Sequence, residues 1–396
     1  MNILHCVPKV GKVSYGLGQI SVNLAEAQHN LNHHVNVWCV DNDVNIKWAS
    51  QTHGFPKNKI KGFPILGPKI LSYSPEMEKL ATMSDGKFFN IIHQHGIWTA
   101  TSRATIKLAE KYRTPTVIAP HGSLSKWALK KSALKKKLAI ALFENKNLHR
   151  ASCLHATSEL EVSDFRDFGL KQPIAYIENG IPAKDLNISG NPNKFRKEYN
   201  INPENKILFF LSRITPKKGL PMLIEAIKNN ELFFENWIFI IAGSEEFGHI
   251  AELEVIIKKL NLNNKIKIIG TLFNQSKADA FAAADLFVLP SYSEGSPMVI
   301  LDSLAAGVPC ITTKSSSWED LINFNCGWYV DISSKALEDA LKSALILSKR
   351  SLKEMGQNGK KLIATKYTWS TLAIKTLNLY QWLLGQTDRP DFVVLK

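Results

Sequence analysis

The feature that most constrains this chain is an alternation. Short runs of Val, Ile, Leu and Phe, mostly four to six residues long, are separated by longer stretches with the three-to-four-residue apolar spacing of amphipathic helices. Strands buried on both faces read as continuous apolar runs, which is the mark of a parallel sheet. Parallel neighbours need a crossover, usually a helix, so the pattern is one of repeated strand–helix–strand units. The spacing predicts strands over Asn2–Val7, Val35–Val40, Ile91–His93, Thr116–Ala119, Cys153–Ala156 and Ile174–Ile177. Helices are expected over Leu17–Leu31, Ser102–Tyr112, Lys126–Leu148 and Leu160–Phe168.

The Asn179-Gly180-Ile181-Pro182 turn and the polar stretch Asn187–Asn193 break the pattern. It then restarts, with strands near Lys206–Leu211, Trp237–Ala242, Ile266–Ile269, Leu286–Leu289 and Cys310–Thr312. Leu220–Asn229, Ile250–Leu260, Gln275–Ala283 and Met298–Ala306 read as the intervening helices. At roughly 150 residues per domain, 396 residues suit two such domains, and no internal repeat of fixed period is visible. The boundaries read as 1–185 and 186–369. A final amphipathic helix, Trp369 to Gly385 with Leu372, Ile374, Leu377, Leu379, Tyr380 and Leu383 as its apolar positions, belongs to a segment (370–396) expected to pack back near the first domain. The fold class is therefore α/β, two Rossmann-like doubly wound parallel-sheet domains.

Composition excludes other classes. Apolar residues at 45% and charged residues at 21% rule out a disordered or fibrous chain. No stretch approaches ~18 unbroken apolar residues. The start, Met1 to Val7, has neither a basic region nor a long apolar one, so it does not read as a secretory signal. A soluble, cytoplasmic protein is the expectation. The five cysteines (Cys6, Cys39, Cys153, Cys310, Cys326) are widely separated and form no C-x-x-C pair, which fits small buried hydrophobes and not a zinc site or a disulfide framework.

The formal charge is +14, and it is uneven. Residues 1–190 hold 24 basic and 14 acidic side chains, an excess of +10; the remainder hold 25 and 21, an excess of +4. That asymmetry points to an anionic partner for the first half, whether nucleic acid, a phosphorylated ligand or an anionic membrane surface.

In open parallel sheets ligands bind beyond the carboxyl ends of the strands, so the loops after strands are where function is sought. After the strand ending at Leu211 comes Ser212-Arg213-Ile214-Thr215-Pro216-Lys217-Lys218-Gly219. Guanidinium and ammonium groups beside the free N–H groups of a helix start make a diphosphate site, the alternative being a solvated basic loop. After Leu289 comes Pro290-Ser291-Tyr292-Ser293-Glu294-Gly295-Ser296-Pro297-Met298, then an apolar helix carrying Asp302. A carboxylate at a helix mouth can accept from two sugar hydroxyls; equally, Glu294 can be a cap and Asp302 an ordinary polar position.

The run from Pro290 to Pro309 resembles the signature of the family-four retaining glycosyltransferases, whose fold is called GT-B. Other pieces match in order along nearly the whole chain: Gly16-Leu17-Gly18, His93-Gln94-His95-Gly96, His121-Gly122, Glu178-Asn179-Gly180, Ser212-Arg213 with Lys218-Gly219, Ala242-Gly243, Gly270-Thr271 and Tyr367-Thr368-Trp369. The resemblance implies two domains facing an interdomain cleft, and a nucleoside-diphosphate sugar held mostly by the second. Arg213 and Lys218 would bind the diphosphate, Glu294 with the backbone of Gly295, Ser296, Pro297 and Met298 the sugar, and Asp302 the ribose. Gly243 would join the nucleotide-sugar contacts, and the Gly270–Leu272 loop, Thr271 and Leu272 included, would pack on the base. Gly16 and Gly18 would bring backbone close to the ligand, and His121 would reach the reacting sugar, making His121, Arg213, Lys218 and Glu294 the catalytic set. Three departures are visible: Asp302 where many relatives carry Glu, Gly295-Ser296-Pro297 where Gly-Phe-Gly is commoner, and Tyr15-Gly16-Leu17-Gly18 where adjacent glycines are usual.

No G-x-G-x-x-G follows the first strand, which argues against a nicotinamide site. No His/Cys/Asp metal cluster is visible in the spacing; Asp41-Asn42-Asp43 matches the D-x-D motif only superficially, and neither a metal nor another cofactor is expected. His95 can serve the acceptor or merely pack; His5, His33 and His34 read as structural or solvent-exposed. From Lys126 to Arg150 there are eight Lys/Arg and one acid, Glu144. Trp127, Leu134, Leu138, Ala141 and Leu142 share one helical face, with Lys130, Lys131, Lys135 and Lys137 flanking it. Such a face packs on its own domain or rests on anionic lipid beside a glycan or lipid-linked acceptor, placing the protein at the inner face of a membrane. The expected function is retaining, metal-independent hexosyl transfer to an acceptor hydroxyl in surface-polysaccharide, lipopolysaccharide or glycolipid assembly. The alternatives are an epimerase or phosphorylase of the same fold, a basic nucleic-acid-binding protein, disfavoured by the lack of interleaved aromatics, and a non-catalytic scaffold.

Overall fold

The computed structural model describes residues 1–11, 16–66, 73–83, 89–130 and 132–395. The chain divides into two units, Met1–Gly180 with Trp369–Lys396, and Ile181–Thr368. The divisions fall at 180/181 and 368/369, where the sequence alone suggests 185/186 and 369/370.

The first unit is built on strands β1 (Asn2–Val7), β2 (His34–Cys39), β3 (Ile60–Gly62), β4 (Ile91–His95), β5 (Thr116–Ala119), β6 (Cys153–Ala156) and β7 (Ile174–Tyr176). Their order is β3-β2-β1-β4-β5-β6-β7, all parallel, and a last strand, Val393–Val394, adds antiparallel beside β7. Its helices are α1 (Leu17–Asn30), α2 (Asp43–His53), α3 (Pro75–Met83), α4 (Ala100–Tyr112), α5 (Lys126–Lys130), α6 (Ala133–Ala139), α7 (Asn145–His149) and α8 (Glu159–Asp167). The C-terminal helix (Trp369–Leu383) packs against α1.

The second unit has β8 (Lys206–Leu211), β9 (Trp237–Ala242), β10 (Ile266–Ile269), β11 (Leu286–Leu289), β12 (Cys310–Thr313) and β13 (Gly327–Val330), in the order β10-β9-β8-β11-β12-β13 and all parallel. Around it lie α9 (Pro192–Glu198), α10 (Leu220–Asn229), α11 (His249–Lys259), α12 (Asn274–Ala283), α13 (Met298–Ala305), α14 (Asp320–Asn323), α15 (Ser334–Leu345) and α16 (Lys349–Lys366). In each sheet the strand order reverses once, between β1 and β4 and between β8 and β11. Loops leaving such neighbours part to opposite faces and open a crevice, so these reversals are where ligands bind in this architecture.

The strands form where the apolar runs predict because every residue of β9 and all but the end residues of β8 are buried. Phe209, Phe239 and Phe287 share one core cluster between the sheet and its helices. Helix starts are set by small polar side chains: Ser158 Oγ accepts from the Glu161 amide, Ser333 Oγ from Ala336 and Ser348 Oγ from Ser351. All five cysteines are free thiols in buried positions.

Three expectations need correcting. The helix expected over Lys126–Leu148 is broken into α5, α6, a π-helical turn over Ile140–Glu144, and α7. Its apolar face does not pack on the domain: Trp127, Leu134, Leu138 and Leu142 are all exposed, Leu134 by 83%. Instead Phe143, Glu144, Asn147 and Leu148 turn inward; Lys131 lies outside the described residues. In the C-terminal helix, Leu372, Leu377, Leu379 and Tyr380 are buried but Ile374 is exposed, because it sits about 200° around the helix from Leu372.

Candidate active site

The crevice between β8 and β11 gathers the charged residues of the second unit. Past β8 the chain makes a 3₁₀ turn over Pro216–Lys218 and enters α10 through Gly219, whose φ is +68°. A Cβ there would come within 2.1 Å of the Pro290 carbonyl oxygen, so only glycine lets the two loops close on each other. The Tyr292 amide donates to the Lys217 carbonyl (2.9 Å), locking the loops in register. This apposition brings Lys218 Nζ to 2.5 Å from Glu294 Oε1, with both side chains about 10% exposed. Ser291 Oγ donates to the same Oε1 at 2.5 Å, and the Glu294 amide donates to the Ser315 carbonyl at 2.9 Å. Thr313 Oγ1 holds the Ser291 carbonyl (2.5 Å). Glu294 is thus a fixed acceptor at the mouth of α13, beside the N–H groups that open that helix.

Arg213 stands at the rim, exposed and paired with Glu246 (2.8 Å). Lys217 is half-buried, and burial lowers its ammonium pKa while Glu294 raises it and the Lys218 and Arg213 charges lower it. Sequence reading places Lys217 in the basic diphosphate loop with Arg213 and Lys218 but not in the named catalytic set; its electrostatic coupling to Glu294, Lys218 and Arg213 joins it to that group. Gly243, with φ +154°, leaves no room for a Cβ against the Ser212 carbonyl oxygen (1.7 Å). Gly270 and Thr271 are exposed after β10, but Leu272 is a core side chain and offers a ligand only its backbone. Asp302, in the second turn of α13, accepts from Lys277 of α12 (3.0 Å). Asp302 is the first cause of a raised Lys277 pKa, and Asp185 also contributes. Lys277 and Ser315 are missed by sequence reading because one polar residue in a helix or after a strand carries no spacing signature, and Ser291, although within the Pro290–Pro309 run, is given no role of its own there.

The reversal of the first unit has a different chemistry. Gly16, at φ +93°, precedes α1, and a side chain there would meet open space; Gly18 is buried within that helix. Tyr15 lies outside the described residues. His121 follows β5 in the left-handed region (φ +52°) and Gly122 follows at +74°. Buried Glu161 holds this turn, accepting from the Gly122 amide, the Thr157 amide (2.7 Å) and Thr157 Oγ1 (2.7 Å). Burial raises its carboxyl pKa against those donors. His121 Nε2 reaches His95 Nδ1 (3.3 Å), and His95 Nε2 reaches His5 Nδ1 (2.9 Å). His5, His93 and His95 are fully buried, and one ring nitrogen of each lies within 4.8 Å of the others, a grouping that spacing along the sequence did not reveal. His5 and His93 are direct partners across β1 and β4, and His93 and His95 alternate on one strand, so pleating puts all three on one face. Trp127, Lys130 and Lys135 lie apart on α5 and α6, at the surface.

Family models match both units: residues 16–180 match a glycosyl transferase 4-like domain, and residues 191–362 match the glycosyl transferases group 1. This chain belongs to the group 1 glycosyltransferases. It is similar to a subunit of the phosphatidylinositol N-acetylglucosaminyltransferase of Homo sapiens, with 23% identity over 291 residues, covering 73% of this chain and 57% of that protein. The O-antigen biosynthesis glycosyltransferase WclY of Escherichia coli is 24% identical over 210 residues, covering 53% and 56%. The chain spans a little over half the length of these curated relatives. Among solved structures, Anabaena Alr3699/HepE in complex with UDP and glucose superposes with a TM-score of 0.73 at 18% identity, covering 96% of this chain and all of that one. The group 1 chain described here therefore has the two-domain GT-B fold.

Proposed function

We propose that this protein transfers a hexose from a nucleoside-diphosphate sugar to an acceptor hydroxyl, with retention at the anomeric carbon and without a metal ion. The observation that carries the reading is the Lys218–Glu294–Ser291 cluster at the strand reversal, where a cation and a sugar-hydroxyl acceptor are held side by side. A diphosphate entering beside Lys218 draws Arg213 away from Glu246, exchanging an exposed ion pair of small worth for a charge-assisted contact. The bond from the anomeric carbon to the phosphate oxygen breaks, and the acceptor oxygen bonds that carbon on the same face. The acceptor proton passes to the departing phosphate oxygen, whose charge Lys218 and Arg213 stabilise. Asp302, exchanging Lys277 for the ribose hydroxyls, completes the donor site.

Support for a lipid-linked acceptor comes from α5, α6 and the π-helical turn that follows. Exposed Leu134, Leu138 and Leu142 stand beside exposed Lys130, Lys135 and Lys137, a composition suited to an anionic lipid surface and to surface-glycan assembly at a membrane. Among the described residues no helix is long and apolar enough to cross a membrane. Co-sedimentation with vesicles of anionic but not zwitterionic lipid, lost in Leu138→Glu, is the expected result.

The deciding experiment is a thermal-shift series with UDP, GDP, ADP and their sugars, followed by turnover of the stabilising donor. One nucleotide is expected to raise the melting temperature by an amount that grows with the logarithm of its concentration over its dissociation constant. No stabilisation by any of them, or an epimerised sugar released from donor alone, overturns the reading.

A further inference from the structure

The buried polar groups at the β1–β4 reversal form one continuous series of hydrogen bonds, and its proton positions follow from a single fixed end. His155 Nε2 lies 2.8 Å from the Ile177 carbonyl oxygen, which can only accept, so that nitrogen carries the proton. In a neutral ring Nδ1 then accepts, and His93 Nε2, 3.2 Å away, must donate to it. His93 Nδ1 is left as an acceptor and takes the single proton of the Tyr380 hydroxyl (2.7 Å). With that proton spent, Tyr380 can only accept from Gln28, whose amide nitrogen is 3.4 Å away. Gln28 Oε1 therefore faces His5 and accepts from its Nε2 (2.8 Å). His5 Nδ1 in turn accepts from His95 Nε2 (2.9 Å), and His95 Nδ1 accepts from His121 Nε2 (3.3 Å). Every donor finds one acceptor, and the direction never reverses.

We propose that this relay, anchored at the Ile177 carbonyl, sets His121 as its Nε2–H tautomer, leaving Nδ1 as a lone pair that accepts from a sugar hydroxyl and disfavours a phosphate oxygen. His155, His93, Tyr380, Gln28, His5 and His95 are then positioning residues that act through His121. The inference rests on the reading of His121 as the histidine that meets the sugar. Burial keeps the rings neutral, with His5 and His155 pushed down to about 4 and His121 to about 3. An added proton would reverse the direction of every link beyond it. The nearness of the His5, His93 and His95 nitrogens suits a metal ion in distance alone. The bond from His95 Nε2 to His5 Nδ1 spends those two nitrogens on each other, so a metal would cost the link on which the relay depends.

The test uses the full chain labelled with ¹⁵N-histidine at neutral pH, the His121 signals being identified by their loss in His121→Asn. Long-range ¹H–¹⁵N correlations separate the two neutral tautomers from imidazolium. The wild-type protein is expected to show His121 only as Nε2–H. In Gln28→Leu or Tyr380→Phe the fixed end is disconnected, and the Nδ1–H form is expected to appear, with a lower kcat and a smaller change in donor KM. An Nδ1–H or imidazolium His121 in the wild type overturns the proposal without any variant needing to fold. So does an unchanged His121 in a folded Gln28→Leu, or stoichiometric zinc binding that is lost in His5→Gln. Full turnover by His121→Ala would instead defeat the functional reading of that residue and leave the tautomer result standing.

Discussion

The two strand reversals share a topology and differ in what they hold. In the second unit the reversal carries net charge near the surface: Lys218 and Glu294, with Lys217 and Arg213 toward the rim. In the first it carries five imidazoles, four of them buried and His121 partly exposed, with a buried tyrosine, among strands and the C-terminal helix. The difference teaches how one architecture serves two tasks. On the proposed function, charge that must meet a diphosphate has to keep partners it can exchange, whereas a group that reads a hydroxyl needs a fixed proton.

Acid should separate the two most strongly. Histidines whose folded pKa lies below the ordinary 6.5 stabilise the protein fully above that value and lose the contribution as pH falls toward the folded pKa of about 4 for His5 and His155 and about 3 for His121. Each such ring costs about 1.4 kcal/mol per pH unit below 6.5. Several together exceed the stability of an ordinary domain within about two units. Buried Glu144 and Glu161, raised by desolvation, act in the opposite sense by favouring the protonated form. Circular dichroism between pH 7 and 4.5 is expected to show cooperative loss of structure that starts below 6.5; a flat profile would mean the rings are not buried and neutral.

Smaller effects divide the sites by chemistry. Lys218→Ala, which removes the cation proposed to face the leaving group, is expected to cost about 10² to 10³ in kcat, measured with the donor that the thermal-shift series selects. His121→Ala should lower kcat by about 10², the low end for a positioned acid–base or hydroxyl-binding group. If its loss matched that of Lys218→Ala and fell on donor KM alone, the contrast between a charge-holding and a hydroxyl-reading reversal would fail. Asp302→Asn should raise donor KM about tenfold with little change in kcat, as expected for a contact present in ground and transition states alike. The least effect is expected from Glu246→Gln: the exposed Arg213–Glu246 pair contributes under about 1 kcal/mol to stability, read as a shift of about 1 °C or less in melting temperature.

The sheets were legible in the sequence wherever strands were long and buried on both faces. Asn2–Val7, Lys206–Leu211 and Trp237–Ala242 match the predicted runs end for end. Part of what escaped was short or weakly apolar, but α15 and α16 also went unread although Leu337, Leu341, Ala344 and Leu345 of the one and Leu352, Leu362 and Ile363 of the other recur at helical spacing and are buried. Strand β3 is only Ile60-Lys61-Gly62, and α2 buries just Ile46, Ala49 and His53, so neither carries a periodic signal. The ligand loops were legible because Gly219, Glu294 and Lys218 sit just after strands. Their partners were not: Ser315 and Lys277 join the site only when separate crossovers bring them there. His5 read as structural because its neighbours in sequence are apolar; its chemistry lies in Gln28 and His95, 23 and 90 residues away.

The return of the C-terminal helix to the first unit has a consequence for synthesis. Tyr380 reaches His93 across 287 residues. A ribosome that has finished the first 180 residues has made every histidine of the relay but not the hydroxyl that joins its two halves. The acceptor-side histidine acquires its final protonation pattern only after the whole second unit has been translated. If the second unit binds the donor as proposed, a nascent or C-terminally clipped chain with that unit folded would hold sugar nucleotide without being ready to use it.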